Sequence, residues 1–390
     1  MTGEAVRQSQ QQWLRVRRFL NASRHELGLA ALTLYPGTAR VAGTPLLAHP
    51  RWLPSAPVPL ERVTLAWHPG RPACGVDGTG PESAAVRPLR DDGRRFGCYA
   101  GALGALDRPG LFADRACYRL LGAAADGSAD LMFGHGRYFQ VINTCEAVAH
   151  EYAAATLSRS APATRPAMRE LPLRARLGEP TRLLRRPVMV AICTLVLRAG
   201  RGAGDAAMLL HWRDPARVAS GGGLYQVAPV GMFQPSHDAE WNQANDFSLW
   251  RCMVRELSEE LLGGGEDYHS DSAPIDYDRW PLHAALAQAR RAGALRLYWL
   301  GLGADPLTLA ADMLTVAVFD AGLFDATFAR LVTANEEGHI VTSGEPARAD
   351  VGVTFRKENI ERYAAREPMQ PAGAALLRLA WQHRGTLLAA

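Results

Sequence analysis

The segment Arg255-Glu256-Leu257-Ser258-Glu259-Glu260-Leu261-Leu262-Gly263 places three carboxylates and one arginine within six consecutive positions. Residues three and four apart are neighbours on a helix, so Glu256, Glu259 and Glu260 are predicted to share one helix face. Clustered carboxylates repel one another unless a cation lies between them, and Mg²⁺ and Mn²⁺ prefer oxygen ligands of this kind. Taken alone, the segment is equally compatible with a solvated acidic helix face.

The residues before this segment predict strands that lead into the helix. Residues 188–198 and 206–213 are apolar runs separated by a turn-like stretch, and together they predict a β-hairpin. Residues 224–235 predict a third strand that breaks at Pro229-Val230-Gly231. Asp246 or Ser248 is a candidate N-cap for the helix that carries the glutamates.

This order and the run Arg255-Glu256-Leu257-Ser258-Glu259-Glu260 resemble the Nudix hydrolase family over about residues 187–345. The run matches the second half of the family signature, and Pro229-Val230-Gly231 is similar to the glycine turn at which the signature begins. Three features depart from the family pattern. The loop between Gly231 and Arg255 is about ten residues longer, Phe247 stands where the family has its first glutamate, and the glycine after the glutamates comes one residue late, at Gly263. Glu240 and Asp246 are both candidates to replace that first glutamate.

The resemblance implies an α/β (α+β) fold in which a Nudix-like mixed sheet is sandwiched between helices. It implies Mg²⁺ (or Mn²⁺) held by Glu256, Glu259 and Glu260, with Arg255 as a further catalytic residue that orients a carboxylate. The implied activity is hydrolysis of a phosphoanhydride, such as a nucleoside diphosphate linked to another group. The alternative is a catalytically weak or inactive Nudix-like protein that binds a nucleotide or metabolite as a regulator.

Five further residues are candidates for substrate binding. Gly231 is expected to let the loop backbone approach the substrate phosphate, and Tyr225 and Phe233 are candidates to stack on a base. Glu336 and Glu337 lie in a predicted turn, where Nudix enzymes often supply another acid. Aromatic residues on strands more often belong to the core, and acids in turns are more often solvated.

The length of 390 residues predicts two or three domains. We expect an N-terminal α/β domain of unknown type over residues 1–160, a linker over 161–186 that contains four prolines and seven arginines, the Nudix-like domain over 187–345, and C-terminal helices over 346–390 that pack on it. Within the first domain, residues 111–121 and 137–157 are predicted helices.

Charge and composition limit the classes of partner. The net charge of +4 is small and dispersed, which argues against direct nucleic-acid binding. No apolar run is long enough for a transmembrane helix, and the six cysteines are widely spaced, so a cytoplasmic protein with reduced thiols is expected. The expected partner is a small-molecule nucleotide or pyrophosphate, and a homodimer is one possible assembly. Lys357 is the only lysine. Such an arginine bias is typical of a high-GC bacterial genome. In such a bacterium, a substrate from specialised metabolism is a further alternative. Arginine is also well suited to phosphate recognition.

A second group of candidate ligands lies on the predicted helix 137–157. Glu146 and His150 are four residues apart and could share a metal ion. One helix supplies only two ligands, so a structural pair on the helix surface or in a pocket is the more economical interpretation.

Overall fold

The computed structural model describes residues 3–110, 112–125, 128–159, 165–200, 205–213, 222–265, 267–329, 331, 338–341 and 352–389. Its helices are α1 Gly3–Ala22, α2 Arg24–Ala31, α3 Tyr99–Leu106, α4 Tyr138–Val141, α5 Ala147–Leu157, α6 Pro172–Leu177, α7 Glu240–Asn245, α8 Leu249–Leu261, α9 Pro281–Arg291, α10 Ala321–Thr327, α11 Lys357–Ala365, α12 Pro371–Gln382 and α13 Arg384–Leu387. Its strands are β1 Ala39–Arg40, β2 Leu47–Ala48, β3 Val58–Pro59, β4 Val63–Trp67, β5 Ala116–Ala125, β6 Ala129–Arg137, β7 Val190–Arg198, β8 Ala207–Met208, β9 Leu210–Arg213, β10 Tyr225–Val227, β11 Val230–Met232, β12 Leu295–Ala304, β13 Ala311–Phe319, β14 Gly338–Ile340 and β15 Val353–Thr354.

The largest sheet is mixed and is built around the parallel pair β7 and β13. The strand order is β1-β2-β12-β13-β7-β8-β15, with β3 also paired to β12 and β11 also paired to β7. Side chains on both faces of β7 and β13 are almost all buried, as expected for apolar strands covered on two sides. The pairing of β11 with β7 places Gly231 opposite Ile192 and so fixes this glycine against the centre of the sheet.

Helices pack on this sheet in two groups. Helix α8 contacts β7 and β11, and α9 contacts α8 and β12. Helix α12 contacts β7, β12 and β13, with α11 packed against α12. The fold is therefore mixed α/β, as predicted, and the predicted hairpin is present in part, because β8 pairs with the end of β7 while β9 pairs with β10.

Residues from the N-terminal part complete the large sheet. Ala304 of β12 pairs with Leu47 of β2, and Trp299 of β12 pairs with Val58 of β3. Strands β4, β6 and β5 form a separate three-stranded sheet. The Tyr118 amide of β5 donates to the carbonyl of Phe233, so this second sheet is hydrogen-bonded to the loop after β11. The domain boundaries at 160 and 187 remain a prediction.

One predicted helix is wrong. Residues 116–125, which overlap the helix predicted for 111–121, form strand β5, antiparallel to β6 from Ala116–Arg137 to Ala125–Ala129. The long pairing with β6 outweighs the weak helix preference of this alanine- and leucine-rich run. The helix predicted for 137–157 is present from Tyr138 onward, as α4 and α5 joined by a π-helical turn, while Arg137 ends β6.

The described part of the segment predicted as a linker, residues 165–186, is packed against the rest of the chain. Arg174 of α6 is fully buried and donates to the Tyr35 hydroxyl at 2.9 Å and to the carbonyl of Pro306 at 2.8 Å. Arg186 is also buried and donates to the carbonyls of Pro180 and Leu309. None of the described helices has both the length and the apolar character needed to cross a membrane.

Candidate functional site

Helix α8 carries the three glutamates and has a defined beginning and end. The Ser248 hydroxyl accepts a hydrogen bond from the Arg251 amide, so Ser248, rather than Asp246, is the N-cap. The helix is followed by Gly263, whose φ of 71° lies in the left-handed region that glycine adopts readily after a helix. Its apolar face is buried against the sheet and includes Leu249, Cys252, Met253, Val254, Leu257 and Leu261.

Two of the glutamates lie against the backbone of β11. The amide of Val230 donates to Glu260 Oε1 at 3.0 Å. At Gly231, an added Cβ would lie 1.7 Å from Glu256 Cδ, so the Glu256 carboxyl group occupies the space that any other residue would fill at this position. Glu256 and Glu260 are one turn apart on α8, and both point to the same edge of the sheet.

The third glutamate has a different partner. The Tyr268 hydroxyl donates to Glu259 Oε1 at 2.7 Å. Burial raises the pKa of Tyr268, and the nearby charge of Glu259 raises it further, so the phenol stays a hydrogen-bond donor at neutral pH. All three glutamates are half-buried, which differs from a fully solvated acidic face.

Arg255 is buried and holds the loop between β11 and α7. It donates to the Tyr277 hydroxyl and to the carbonyl of Gln234, both at 2.7 Å, and lies 3.6 Å from Asp246. Burial alone would lower the pKa of Arg255, but the groups around it, chiefly Cys252, Tyr277 and Asp246, raise it above its ordinary value. The bond to Gln234 runs to this loop and the bond to Tyr277 runs to the segment between α8 and α9, because Arg255 lies on the buried side of the helix.

The candidates to replace the missing first glutamate lie in different environments. Asp246 is fully buried and accepts hydrogen bonds from the Ser236 amide, the Ser236 hydroxyl and the Tyr277 hydroxyl, each at 2.7 Å. Its carboxylate therefore holds the loop between β11 and α7 in place. Glu240 is exposed in the first turn of α7. Phe247 packs in an aromatic cluster, with its ring centroid 5.5 Å from that of Trp67 and 5.9 Å from that of Phe233.

Of the predicted substrate-binding residues that the structure describes, Gly231 lies against a glutamate of α8, while Tyr225 and Phe233 pack against other aromatic rings. Phe233 is fully buried, with ring centroids 4.6 Å from Tyr118 and 5.1 Å from Phe133, and in this structure it belongs to the core. Tyr225 is half-buried and packs against Tyr363 of α11, with 5.2 Å between the ring centroids. Glu336 and Glu337 lie outside the described residues. Substrate contact by these residues stays a prediction.

Glu146 and His150 belong to a buried network and not to the helix surface. Glu146 Oε2 accepts from Arg24 at 2.7 Å and from Arg17 at 3.2 Å. His150 Nδ1 lies 3.1 Å from the Tyr99 hydroxyl, and burial together with the charge of Arg17 lowers the pKa of His150 to about 3. These partners make the pair structural.

The donor chemistry beside Gly231 fits a divalent cation. Carboxylate oxygens of Glu256 and Glu260 converge on a backbone edge that lacks a Cβ, and such oxygens are the ligands that Mg²⁺ and Mn²⁺ take, with water completing the shell. Among the described residues, no three His, Cys, Asp or Glu side chains are grouped closely enough to hold a metal ion by themselves. Two protein carboxylates are compatible with Mg²⁺, because it usually keeps several waters.

Sequence reasoning named Ser248 as a candidate N-cap but missed Ser236, Tyr268 and Tyr277. Tyr268 and Tyr277 lie in an acidic stretch with no helical or strand period, and only its two tyrosines so close to the carboxylate helix could have been a signal. In comparisons with known proteins, no protein-family model matches the chain and no curated protein matches it. The resemblance to the Nudix family therefore depends on the sequence of residues 229–231 and 255–260 alone and stays a prediction.

Proposed function

We propose that the chain hydrolyses a phosphoanhydride in a Mg²⁺-dependent reaction at the site formed by α8 and β11. The observation that carries this proposal is the position of Glu256 directly over Gly231, with Glu260 bonded to the neighbouring amide of Val230. This arrangement holds two carboxylates side by side at one backbone edge of the sheet. The proposed substrate class is a nucleoside diphosphate linked to another group, or a similar pyrophosphate.

The chemistry requires a positioned water and a place for the negative charge of the diphosphate. When bound, Mg²⁺ or Mn²⁺ supplies a positive charge that offsets the phosphate oxygens and lowers the pKa of water. Glu256 and Glu260 would hold the ion. The water oxygen forms a bond to one phosphorus, the bond from that phosphorus to the bridging oxygen breaks, and the bridging oxygen leaves with the other phosphate. A carboxylate of the cluster accepts the proton that the water loses.

Two residues position the groups of this site without contact to the reacting atoms. Tyr268 fixes one oxygen of Glu259, and Arg255 fixes the carbonyl of Gln234 in the loop that follows β11. Both contacts restrict the side chains and the backbone around the substrate, which reduces the reorganisation needed during the reaction.

The test is hydrolysis of a panel of nucleoside diphosphate conjugates with Mg²⁺ by the wild-type chain and by Glu260→Gln. We expect the substitution to lower turnover on the order of 100-fold or more, because it removes a charged ligand. Glu358→Gln, at an exposed glutamate in the first turn of α11, is the matched control and is expected to keep full activity. Equal turnover by Glu260→Gln and the wild type would refute the proposal.

A second candidate function is regulatory binding of a nucleotide without cleavage. It is favoured by Phe247, which occupies the place of the family's first glutamate and packs in the aromatic cluster, so that one expected acidic group is missing. A thermal shift with a nucleotide from the panel, in the absence of any product with Mg²⁺ or Mn²⁺, would support this function over hydrolysis.

A further inference from the structure

A cavity of about 610 Å³ lies away from α8, between residues 49–52, the middle of β5 and residues 181–185. Its volume is in the range of sites that hold small organic ligands. None of the residues that line it belongs to α8 or β11. The seven arginines that the sequence analysis noted in residues 161–186 include two that face this cavity.

Three arginines line the cavity, namely Arg51, Arg182 and Arg185, and of the described residues that form its wall none is acidic. Arg182 is exposed at the rim. Arg185 is fixed by its Nε, which donates to the carbonyl of Arg176 at 3.0 Å. The acid nearest in sequence, Glu179, accepts from the Thr38 hydroxyl at 3.0 Å. An adjoining cavity of about 510 Å³ also includes Arg51 and adds Arg62, again without an acidic lining residue among those described.

A buried arginine behind the same wall adds further donors. Arg119 is 4% exposed and lies on β5, two residues before Leu121, which lines the cavity. Its Nη1 donates to the carbonyl of Pro72, in the segment that leads to the lining residue Gly75. Its Nε and Nη2 have no hydrogen-bond partner among the described residues. Several buried arginine Nε atoms among the described residues lack a partner, but Arg119 Nη2 is the one terminal guanidinium nitrogen in that group, and an anion would satisfy it.

The remaining wall is mostly apolar, with His49 and Thr181 as its polar side chains. Trp52 is buried and packs beside the His49 ring at 6.2 Å between centroids, and Leu184 is 56% exposed. A cationic rim beside an apolar wall matches a molecule that carries a phosphate group on a ring or other apolar body. Guanidinium groups bind phosphate oxygens in pairs, which gives both affinity and orientation.

We propose that this cavity is a binding site for a phosphate-bearing small molecule, separate from the carboxylate site on α8. Arg182 and Arg185 contact the phosphate, Arg51 adds charge from the opposite side, and Trp52 with Leu184 contacts the apolar part. The proposal does not depend on the hydrolysis reaction, because no residue is shared between the two sites.

The test is calorimetric titration of the full chain with two probes, inorganic pyrophosphate and adenosine monophosphate, at low ionic strength and without added divalent metal. We expect saturable binding of at least one probe, and a loss of affinity of about 10-fold or more in Arg182→Ala/Arg185→Ala, because each charged hydrogen bond contributes measurably. Arg279→Ala is the matched control, since this arginine side chain is 90% exposed near α9, and it is expected to bind like the wild type.

Two further variants make the outcome decisive. Arg182→Glu changes one exposed side chain and reverses its charge, so a loss of binding with an unchanged melting temperature would exclude misfolding as the cause. Glu256→Gln/Glu260→Gln is expected to retain the binding, which separates this site from the proposed catalytic one. The proposal is overturned if the wild type binds neither probe, or if the double arginine variant binds both with wild-type affinity.

Discussion

Gly231 and Glu256 make a close approach between α8 and the sheet, and at this position a single methyl group decides the geometry. We expect Gly231→Ala to displace the Glu256 carboxyl group, since the new Cβ would lie 1.7 Å from its Cδ. The expected cost is about 1–3 kcal/mol in unfolding free energy, from overpacking, together with a loss of any activity that depends on Glu256. Urea denaturation and turnover measure the two effects.

Gly322→Ala is the control for this substitution. Gly322 lies in α10, and an added Cβ there meets no atom within 4 Å. The change is expected to be neutral or slightly stabilising, because alanine favours a helix. If Gly231→Ala changed the unfolding free energy and the turnover as little as Gly322→Ala, Glu256 would not pack closely on β11.

His150 gives a residue-scale prediction about pH. Its pKa of about 3 in the folded chain lies below the ordinary value of 6.5, so the folded state disfavours the proton. The contribution of neutral His150 to the unfolding free energy is therefore complete above about pH 6.5. It is lost as the pH falls toward 3, and the unfolding free energy then decreases by up to about 1.4 kcal/mol per pH unit. His150→Gln should make the unfolding free energy less dependent on pH across this window, as measured by denaturation at several pH values. An unchanged pH profile in this variant would contradict the prediction.

At the scale of elements, α6 shows how a short helix is held by a distant residue. The carboxylate of Glu151 on α5 accepts from the amides of Leu173 and Arg174 at 2.7 and 2.9 Å, which caps the N-terminus of α6. We expect Glu151→Ala to lower the unfolding free energy by about 2–4 kcal/mol, because two buried donors lose their acceptor. Hydrogen exchange of these two amides should accelerate.

The control for this prediction is Glu179→Ala, just beyond α6. Glu179 is exposed and has the Thr38 hydroxyl as its described partner, so its removal is expected to cost less than about 1 kcal/mol. Equal effects of the two substitutions would show that capping by Glu151 does not stabilise α6.

Strand β5 shows, also at the element scale, why the local sequence pattern predicted a helix where the structure has a strand. Residues 111–121 contain a run that suits a helix, yet residues 116–125 pair along their whole length with β6. The amide of Leu120 also donates to the carbonyl of Val188, which ties β5 to the start of β7. These partners are distant in sequence, so no local propensity reports them.

At the scale of the whole molecule, the N-terminal and C-terminal parts share one core. Strands β2 and β3 cover β12, and the aromatic cluster joins Tyr118 and Phe133 to Phe233 and Phe247. A fragment of residues 187–390 would expose the paired edge of β12 and these aromatic rings to solvent. Exposed strand edges and apolar surface favour aggregation over folding.

We therefore expect the fragment 187–390 to lack a cooperative unfolding transition, while the full chain unfolds cooperatively. Circular dichroism and calorimetric melting of the two chains measure this difference. A soluble fragment with a sharp transition would instead support the predicted domain boundary at residue 187.

The sequence by itself determined the mixed α/β class, the helix that carries the glutamates, and the strands between residues 190 and 232, because side-chain period and helix spacing are local properties. It predicted a break at residues 229–231, whereas the break lies at residues 228 and 229 and Gly231 belongs to β11. Only the tertiary structure decided that Glu256 and Glu260 meet β11 while Glu259 meets Tyr268, and that Arg255 and Asp246 hold the loop. Those partners are set by how the sheet, the loop and the segment after α8 pack together, and such contacts depend on the whole folded chain rather than on spacing along it.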